Sequence, residues 1–201
     1  GPGLQAADVV ICSVYPASTL DFVKSAVPFL KSDVLITDAT GIKGSLPEDV
    51  QRLLTGRMEF IAGHPMAGRQ GSGLGMSQAE IFDGANYIVV PAAFNSSGAI
   101  EWLSSFAGAI GCGQVVQVDA VEHDRIIAYT SNLPHALAVA LINSASYNEN
   151  TKYFIAGSFR DGTRVADINP YLWRREALTA ADAQLLQEMM REAAIKRKDL
   201  Y

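Results

Sequence analysis

The feature that most constrains this chain is the alternation of short, β-branched apolar runs with stretches of helical periodicity. The runs are Asp8 to Tyr15, Val34 to Asp38, Met58 to Ala62, Asn86 to Pro91 and Gln114 to Asp119. Between them, Leu20, Val23, Val27 and Leu30 recur at helical spacing, and Ser18 is placed to cap that helix. Ser45, with Pro47 and Glu48 behind it, has the pattern of a capping box opening a helix through Leu54, and Ser97 to Ile110 carries Ile100, Leu103, Phe106 and Ile110 on one side. Strands and helices alternating in units of roughly 25 residues predict parallel pairing through right-handed crossovers, hence an open α/β sheet. The first run, apolar almost throughout, reads as a strand buried on both faces.

Ligands of such sheets bind at the carboxyl ends of the strands. Three loops then converge on one cleft: Val14-Tyr15-Pro16, Asp38 to Lys43, and His64 to Gly73. The third opens on Gly63-His64-Pro65-Met66-Ala67-Gly68, a histidine between a strand end and a proline with glycines on both sides. A stiff turn of this kind mounts a base, and it equally suits a turn histidine satisfied by local hydrogen bonds.

From Ala120 the pattern changes. Val121 to Tyr147 has no strand signal and is apolar almost all round, as expected of a helix buried among helices, and Pro134 should kink or split it. Ala128, Ser131 or Asn132, and His135 form a narrow small or polar stripe, either a satisfied core network or a cleft lining. Phe154 to Ala166 reads as a turn-rich connector holding Arg160, Asp161 and Arg164, which suit either a carboxylate grip or surface ion pairs. Asn169 to Trp173 and Ala180 to Leu200 continue as helices. The expected division is a sheet domain over residues 4–119 and a helical domain over residues 120–201.

Composition narrows the function. A net charge of −5, with no Lys/Arg cluster before Lys196-Arg197-Lys198, argues against nucleic acid and for small-molecule chemistry in a cytoplasm. No apolar run reaches a membrane span, and Cys12 and Cys112 are too few and too scattered for a disulfide framework or a metal site.

Five motifs in order resemble the prephenate dehydrogenase family: Gly63 to Gly68 with Ser72-Gly73, Glu122-His123-Asp124, Leu133-Pro134-His135, Phe159 to Ala166, and Asn169 to Arg174. The resemblance implies a Rossmann-like domain followed by a helical dimerisation domain. It also implies NAD- or NADP-dependent oxidative decarboxylation of prephenate to 4-hydroxyphenylpyruvate in tyrosine biosynthesis. Under it His64, with an ordinary pKa of about 6.5, is the base for the ring hydroxyl. Arg164 matches the arginine that binds a substrate carboxylate, Asp161 orients the basic side chains beside it, such as Arg160, His135 matches a histidine of the substrate pocket, and Asn132 stands in that pocket where the family has the first histidine of a paired motif. Ser13, Val14, Tyr15, Pro16, Asp38 and Lys43 match the loops on the nicotinamide side. The expected assembly is a homodimer through the helical half, with His64 facing Arg164 and His135.

Departures from the family pattern bear on specificity. Gly41 stands where the family has a serine that holds the histidine, with Thr40 beside it as a stand-in, and Gln70 stands where it has an acid. These exchanges keep arogenate, the amino analogue of prephenate, as an alternative substrate. A Gly-x-Gly-x-x-Gly turn after the first strand does not occur in the sequence, which leaves out the residues that discriminate NAD from NADP. The expectation is an incomplete sheet domain, poorly active alone, or else a non-catalytic sensing and dimerisation module. A β-hydroxyacid dehydrogenase ranks lower, because no lysine accompanies His135 in the central helix.

Overall fold

The computed structural model describes residues 2–68, 75 and 77–166. It divides into two compact units between Asp124 and Arg125. The first is built on five strands, β1 (Val9–Cys12), β2 (Leu35–Asp38), β3 (Glu59–Pro65), β4 (Asn86–Val90) and β5 (Gln114–Gln117), paired in sequence order. Helices α1 (Pro2–Ala6), α2 (Pro16–Ala26), α3 (Leu46–Gln51) and α4 (Ser97–Ala109) accompany them, and α5 (Ala120–Ile127) starts here and crosses the boundary.

Alternation along β3 distributes its residues between two cores. Phe60 and Ala62 pack with Ile36, Val23 and Val50 on the α2 and α3 side, whereas Ile61 packs with Tyr87, Val89 and Leu103 on the α4 side. The two-sided burial expected of the first run is not found: β1 is the edge strand of the described sheet, where Ile11 is 45% exposed, and the strands buried on both faces are β2 and β3.

Pairing is parallel for β1–β2, β2–β3 and β4–β5 but antiparallel for β3–β4, contrary to the uniform parallel expectation. A parallel return needs a crossover of a dozen or more residues, usually a helix. Between β3 and β4 the described residues supply only a 3₁₀ turn, Ala79–Phe82. β3 therefore changes partner along its length: Glu59 to Ile61 pair with β2, and Ala62 to Pro65 pair with β4. His64 consequently lies within a strand, opposite Ile88, rather than in the turn after it.

Helix ends also depart from expectation. α2 begins at Pro16, whose fixed φ and missing N–H suit a first helical position, so Ser18 is inside the helix. Ser45 caps nothing: its hydroxyl donates to Asp49, and α3 ends at Gln51 rather than Leu54. Ser96 caps α4 by accepting from the Ala99 N–H, and Asp119 caps α5 by accepting from the Glu122 N–H.

In the second unit the long helix expected over Val121 to Tyr147 is split at Pro134. A π turn, Ala128–Asn132, joins α5 to α6 (Leu133–Ile142), and the Leu133 N–H reaches the Ala128 carbonyl. The presumed connector is in part a helix, α7 (Gly157–Thr163), followed by a 3₁₀ turn, Arg164–Ala166, and both pack on α6. Along α6, Leu133 and Ala138 are buried, while Leu137 and Leu141 are 56% and 48% exposed. Asn169 to Arg174 and the final helix lie outside the described residues.

Candidate active site

The site is assembled where β1, β2 and β3 end. Cys12 pairs with Asp38, and the Ala39 N–H donates to the Cys12 carbonyl, so the loops after β1 and β2 leave side by side. Ser13, Val14 and Tyr15 lie open on the surface, and Pro16 begins α2.

Asp38 and Lys43 turn inward instead. They are 0% and 2% exposed and form an ion pair of 2.7 Å between the Lys43 Nζ and the Asp38 Oδ2. Lys43 also donates to the Gly63 carbonyl at 2.6 Å, while the Asp38 Oδ1 accepts from the Gly63 N–H at 3.1 Å. Gly63, the residue just before His64, is thus clamped at both its N–H and its C=O. Thr40 serves the same clamp: its N–H donates to the Asp38 Oδ2 at 3.1 Å, and its hydroxyl sits between that carboxylate and the Ile42 carbonyl. The Thr40 hydroxyl, expected as a stand-in holding His64, is thus engaged by Asp38 and Ile42 instead. Burial pulls the Lys43 ammonium below its ordinary pKa, with Asp38 pulling it back up.

His64 is anchored from α5. Its Nδ1 lies 2.9 Å from the Nε2 of His123, and the rings meet edge to face with centroids 5.1 Å apart. His123, 2% exposed, places its Nδ1 2.7 Å from the Asp124 Oδ1. Asp124 in turn accepts from the Lys43 N–H at 2.9 Å and the Gly44 N–H at 2.7 Å, tying the loop after β2 to α5. Burial alone would raise the Asp124 pKa, but hydrogen bonds from His123 and those two amides hold it below the ordinary carboxylate value. The far edge of the His64 ring faces Gly41: a Cβ there would sit 3.8 Å from both Cε1 and Nε2. Among the described residues, the His64 Nε2 has no hydrogen-bond partner.

Burial, then the charge of Lys43, then His123 push the His64 pKa down to about 4, against smaller opposing effects of Asp38 and Asp124. The ring is therefore neutral at pH 7, with one nitrogen anchored and the other available to take a proton.

His123 and Asp124 are the residues to which sequence reasoning assigned no role. Their signal was a His-Asp pair in the first turn of a capped helix, but only the fold brings it to a histidine 59 positions earlier. The remaining candidates belong to the second unit. His135 Nδ1 donates to the Ser131 carbonyl at 2.7 Å across the π turn that also holds Asn132. Arg160 and Asp161 lie exposed on α7, and Arg164 lies exposed just after it. Gln70 lies outside the described residues. Among the described residues no cluster of His, Cys, Asp and Glu could hold a metal ion, and no helix is long and apolar enough to cross a membrane.

Comparison with known proteins supplies a family for this arrangement. Residues 2–116 match the nucleotide-binding domain of prephenate dehydrogenase, and residues 119–198 match its dimerization domain. The chain is 30% identical over 174 residues to prephenate dehydrogenase of Bacillus subtilis, covering 85% of this chain and 47% of that protein. It is 35% identical over 188 residues to cyclohexadienyl dehydrogenase of Zymomonas mobilis, covering 90% of this chain and 63% of that protein. It thus spans about half to two thirds of the length of these relatives. A solved prephenate dehydrogenase from Aquifex aeolicus, in complex with hydroxyphenyl propionate and NAD+, superposes with a TM-score of 0.75 at 25% identity, over 96% of this chain and 77% of that one. With matched domains running through both compact units, the chain belongs to the prephenate dehydrogenase family.

Proposed function

We propose that this chain serves the NAD- or NADP-dependent oxidative decarboxylation of prephenate to 4-hydroxyphenylpyruvate, with His64 as the base for the ring hydroxyl. The observation that carries the reading is the state of His64: neutral, anchored through Nδ1, and with Nε2 free of hydrogen-bond partners among the described residues. A base in that state takes the hydroxyl proton as the carbinol carbon gives up its hydride, and loss of carbon dioxide then makes the ring aromatic.

The open end of β1 fits the cofactor's nicotinamide end. Val14 and Tyr15, 49% and 52% exposed, offer an apolar surface for a flat ring beside Ser13 and Pro16. The nicotinamide, when bound there, accepts the hydride. Asp38 and Lys43 act from beneath in this reading, holding Gly63 and hence His64 rather than touching the cofactor. Arg164 takes a substrate carboxylate with Arg160 and Asp161 beside it, and His135 and Asn132 line the ring pocket.

Arogenate is the second reading, favoured by Gln70 in place of an acid. The exposed Leu137 and Leu141 and the match to a dimerization domain support a homodimer through the helical unit.

Steady-state kinetics of the complete protein with prephenate and arogenate, each against NAD and NADP, tests the reading. His64→Asn should lower kcat by roughly 100-fold or more while the circular dichroism spectrum is retained. Unchanged turnover in that variant would overturn the assignment of the base.

A further inference from the structure

Hydrogen-bond geometry determines which nitrogen of His64 carries the proton, and this follows from the far end of the chain of contacts. An ionised carboxylate only accepts, so the His123 Nδ1 at 2.7 Å from the Asp124 Oδ1 must carry hydrogen. The other Asp124 contacts, from the Lys43 and Gly44 amides, are donors as well, which keeps the carboxylate in its accepting role. A neutral His123 then has a bare Nε2. That nitrogen lies 2.9 Å from the His64 Nδ1, so the His64 Nδ1 must be the donor and the His64 Nε2 must be bare.

We propose that His123 and Asp124 are positioning residues that fix His64 in its Nδ1–H form, aim the bare Nε2 at the substrate hydroxyl, and hold the proton that His64 collects. The inference rests on His64 being the base. The hydroxyl proton bonds to the His64 Nε2 as the O–H bond breaks and the carbinol carbon gives up its hydride to the oxidised nicotinamide, and the Nδ1 proton shifts to the His123 Nε2. His64 is neutral again, and a His123 imidazolium faces the Asp124 carboxylate. Loss of carbon dioxide leaves a phenolate oxygen at the former carbinol carbon, and the two protons shift back to make the phenol. The relay lends a proton and recovers its resting state, so no net proton leaves the enzyme. Free imidazole favours the opposite form, with hydrogen on Nε2, which would present a donor to the hydroxyl and leave no base. The same dependence of a catalytic histidine on a buried carboxylate governs Ser-His-Asp sites, where the wrong tautomer lowers kcat by about 10⁴-fold. Here a second histidine is interposed.

Histidine-selective ¹⁵N NMR of the complete protein reads the tautomer directly, with His64→Asn identifying the His64 signals. The expected result is a protonated Nδ1 and a bare Nε2 on His64, changing to a protonated Nε2 in His123→Leu. A wild-type His64 protonated on Nε2, or a His64 indifferent to His123→Leu, overturns the proposal. His123→Gln separates aiming from relaying. Its side-chain carbonyl can still accept from the His64 Nδ1–H but cannot take the proton. In this variant His64 should keep its Nδ1–H form while kcat falls about 10-fold and KM holds, against about 100-fold in His123→Leu. Wild-type kcat in His123→Gln overturns the relay. Should His64→Asn retain turnover while the NMR result stands, the base assignment fails and the tautomer assignment survives.

Discussion

The Lys43 ammonium donates to the Gly63 carbonyl at 2.6 Å, so a buried cation grips the backbone one residue before His64. Its partner Asp38 grips the N–H of the same glycine at 3.1 Å. Neither charge has solvent to fall back on, and removing one leaves the other buried and uncompensated. Lys43→Met should therefore destabilise the protein by roughly 3–5 kcal/mol, read from urea unfolding. It should also raise the His64 pKa, because the Lys43 charge is among the influences holding it down. An NMR titration in which His64 titrates as in the wild type would show that Lys43 acts on the fold alone.

Gly63 has a second constraint, from the Tyr87 side chain. A Cβ there would lie 2.5 Å from the Tyr87 hydroxyl oxygen and 3.0 Å from its ring, inside the core that Tyr87 shares with Ile61 and Val89. Gly63→Ala should cost about 1–3 kcal/mol, the ordinary range for overpacking. Tyr87→Phe in the same chain should recover part of the loss, since the closest clash is with the hydroxyl. A double-mutant cycle by chemical denaturation measures the coupling.

Periodicity made the strands and the α4 helix legible, because apolar runs and helical spacing survive in one dimension. The antiparallel return of β4 was not, because direction depends on what connects the strands rather than on the strands themselves. That single reversal has a consequence for function: it extends β3 to Pro65 and makes His64 a strand residue opposite Ile88. His64 and its surrounding glycines stood out by composition, whereas its partners did not. His123 and Asp124 stood in one of the family motifs but carried no role until the fold sets them against His64, Lys43 and Gly44. Asp38 and Lys43 were expected at a strand end on the nicotinamide side, and nothing local says that they face inward and pair with each other.

Gly41 gives a test of how the far edge of His64 is held. A Cβ at this position meets the His64 ring at 3.8 Å, an ordinary contact, so a side chain fits without displacing anything. Gly41→Ser should leave stability within about 0.5 kcal/mol. Its hydroxyl would stand beside Nε2, where one added hydrogen bond contributes about 0.5–1.5 kcal/mol, or a few-fold in rate. The expected outcome is a fall of that size in kcat/KM for the complete protein, because the serine O–H competes with the substrate hydroxyl for the bare Nε2, with Gly41→Ala showing none. Equal effects of serine and alanine would assign the change to packing.

The pH profile is the most direct check on the electrostatics around His64. Its pKa is lowered to about 4 by burial first, by the Lys43 charge next and by the neighbouring His123 after that. A base is lost when it is protonated, so kcat/KM should stay level from pH 8 down to about 5 and fall only as the pH approaches 4. An unperturbed histidine would put that fall near its ordinary value of about 6.5. Stability follows the same sign: between those two values the unfolded chain binds a proton that the folded one refuses, so stability declines as pH falls through that window. Asp124, held below the ordinary carboxylate value, adds to the loss at more acidic pH. Urea midpoints should therefore drop between pH 7 and pH 4.5, and His64→Asn should lose the part of that drop due to the imidazole. An acid limb near 6.5 in the wild type would mean that the ring is solvated in the working enzyme and that Lys43 does not depress it.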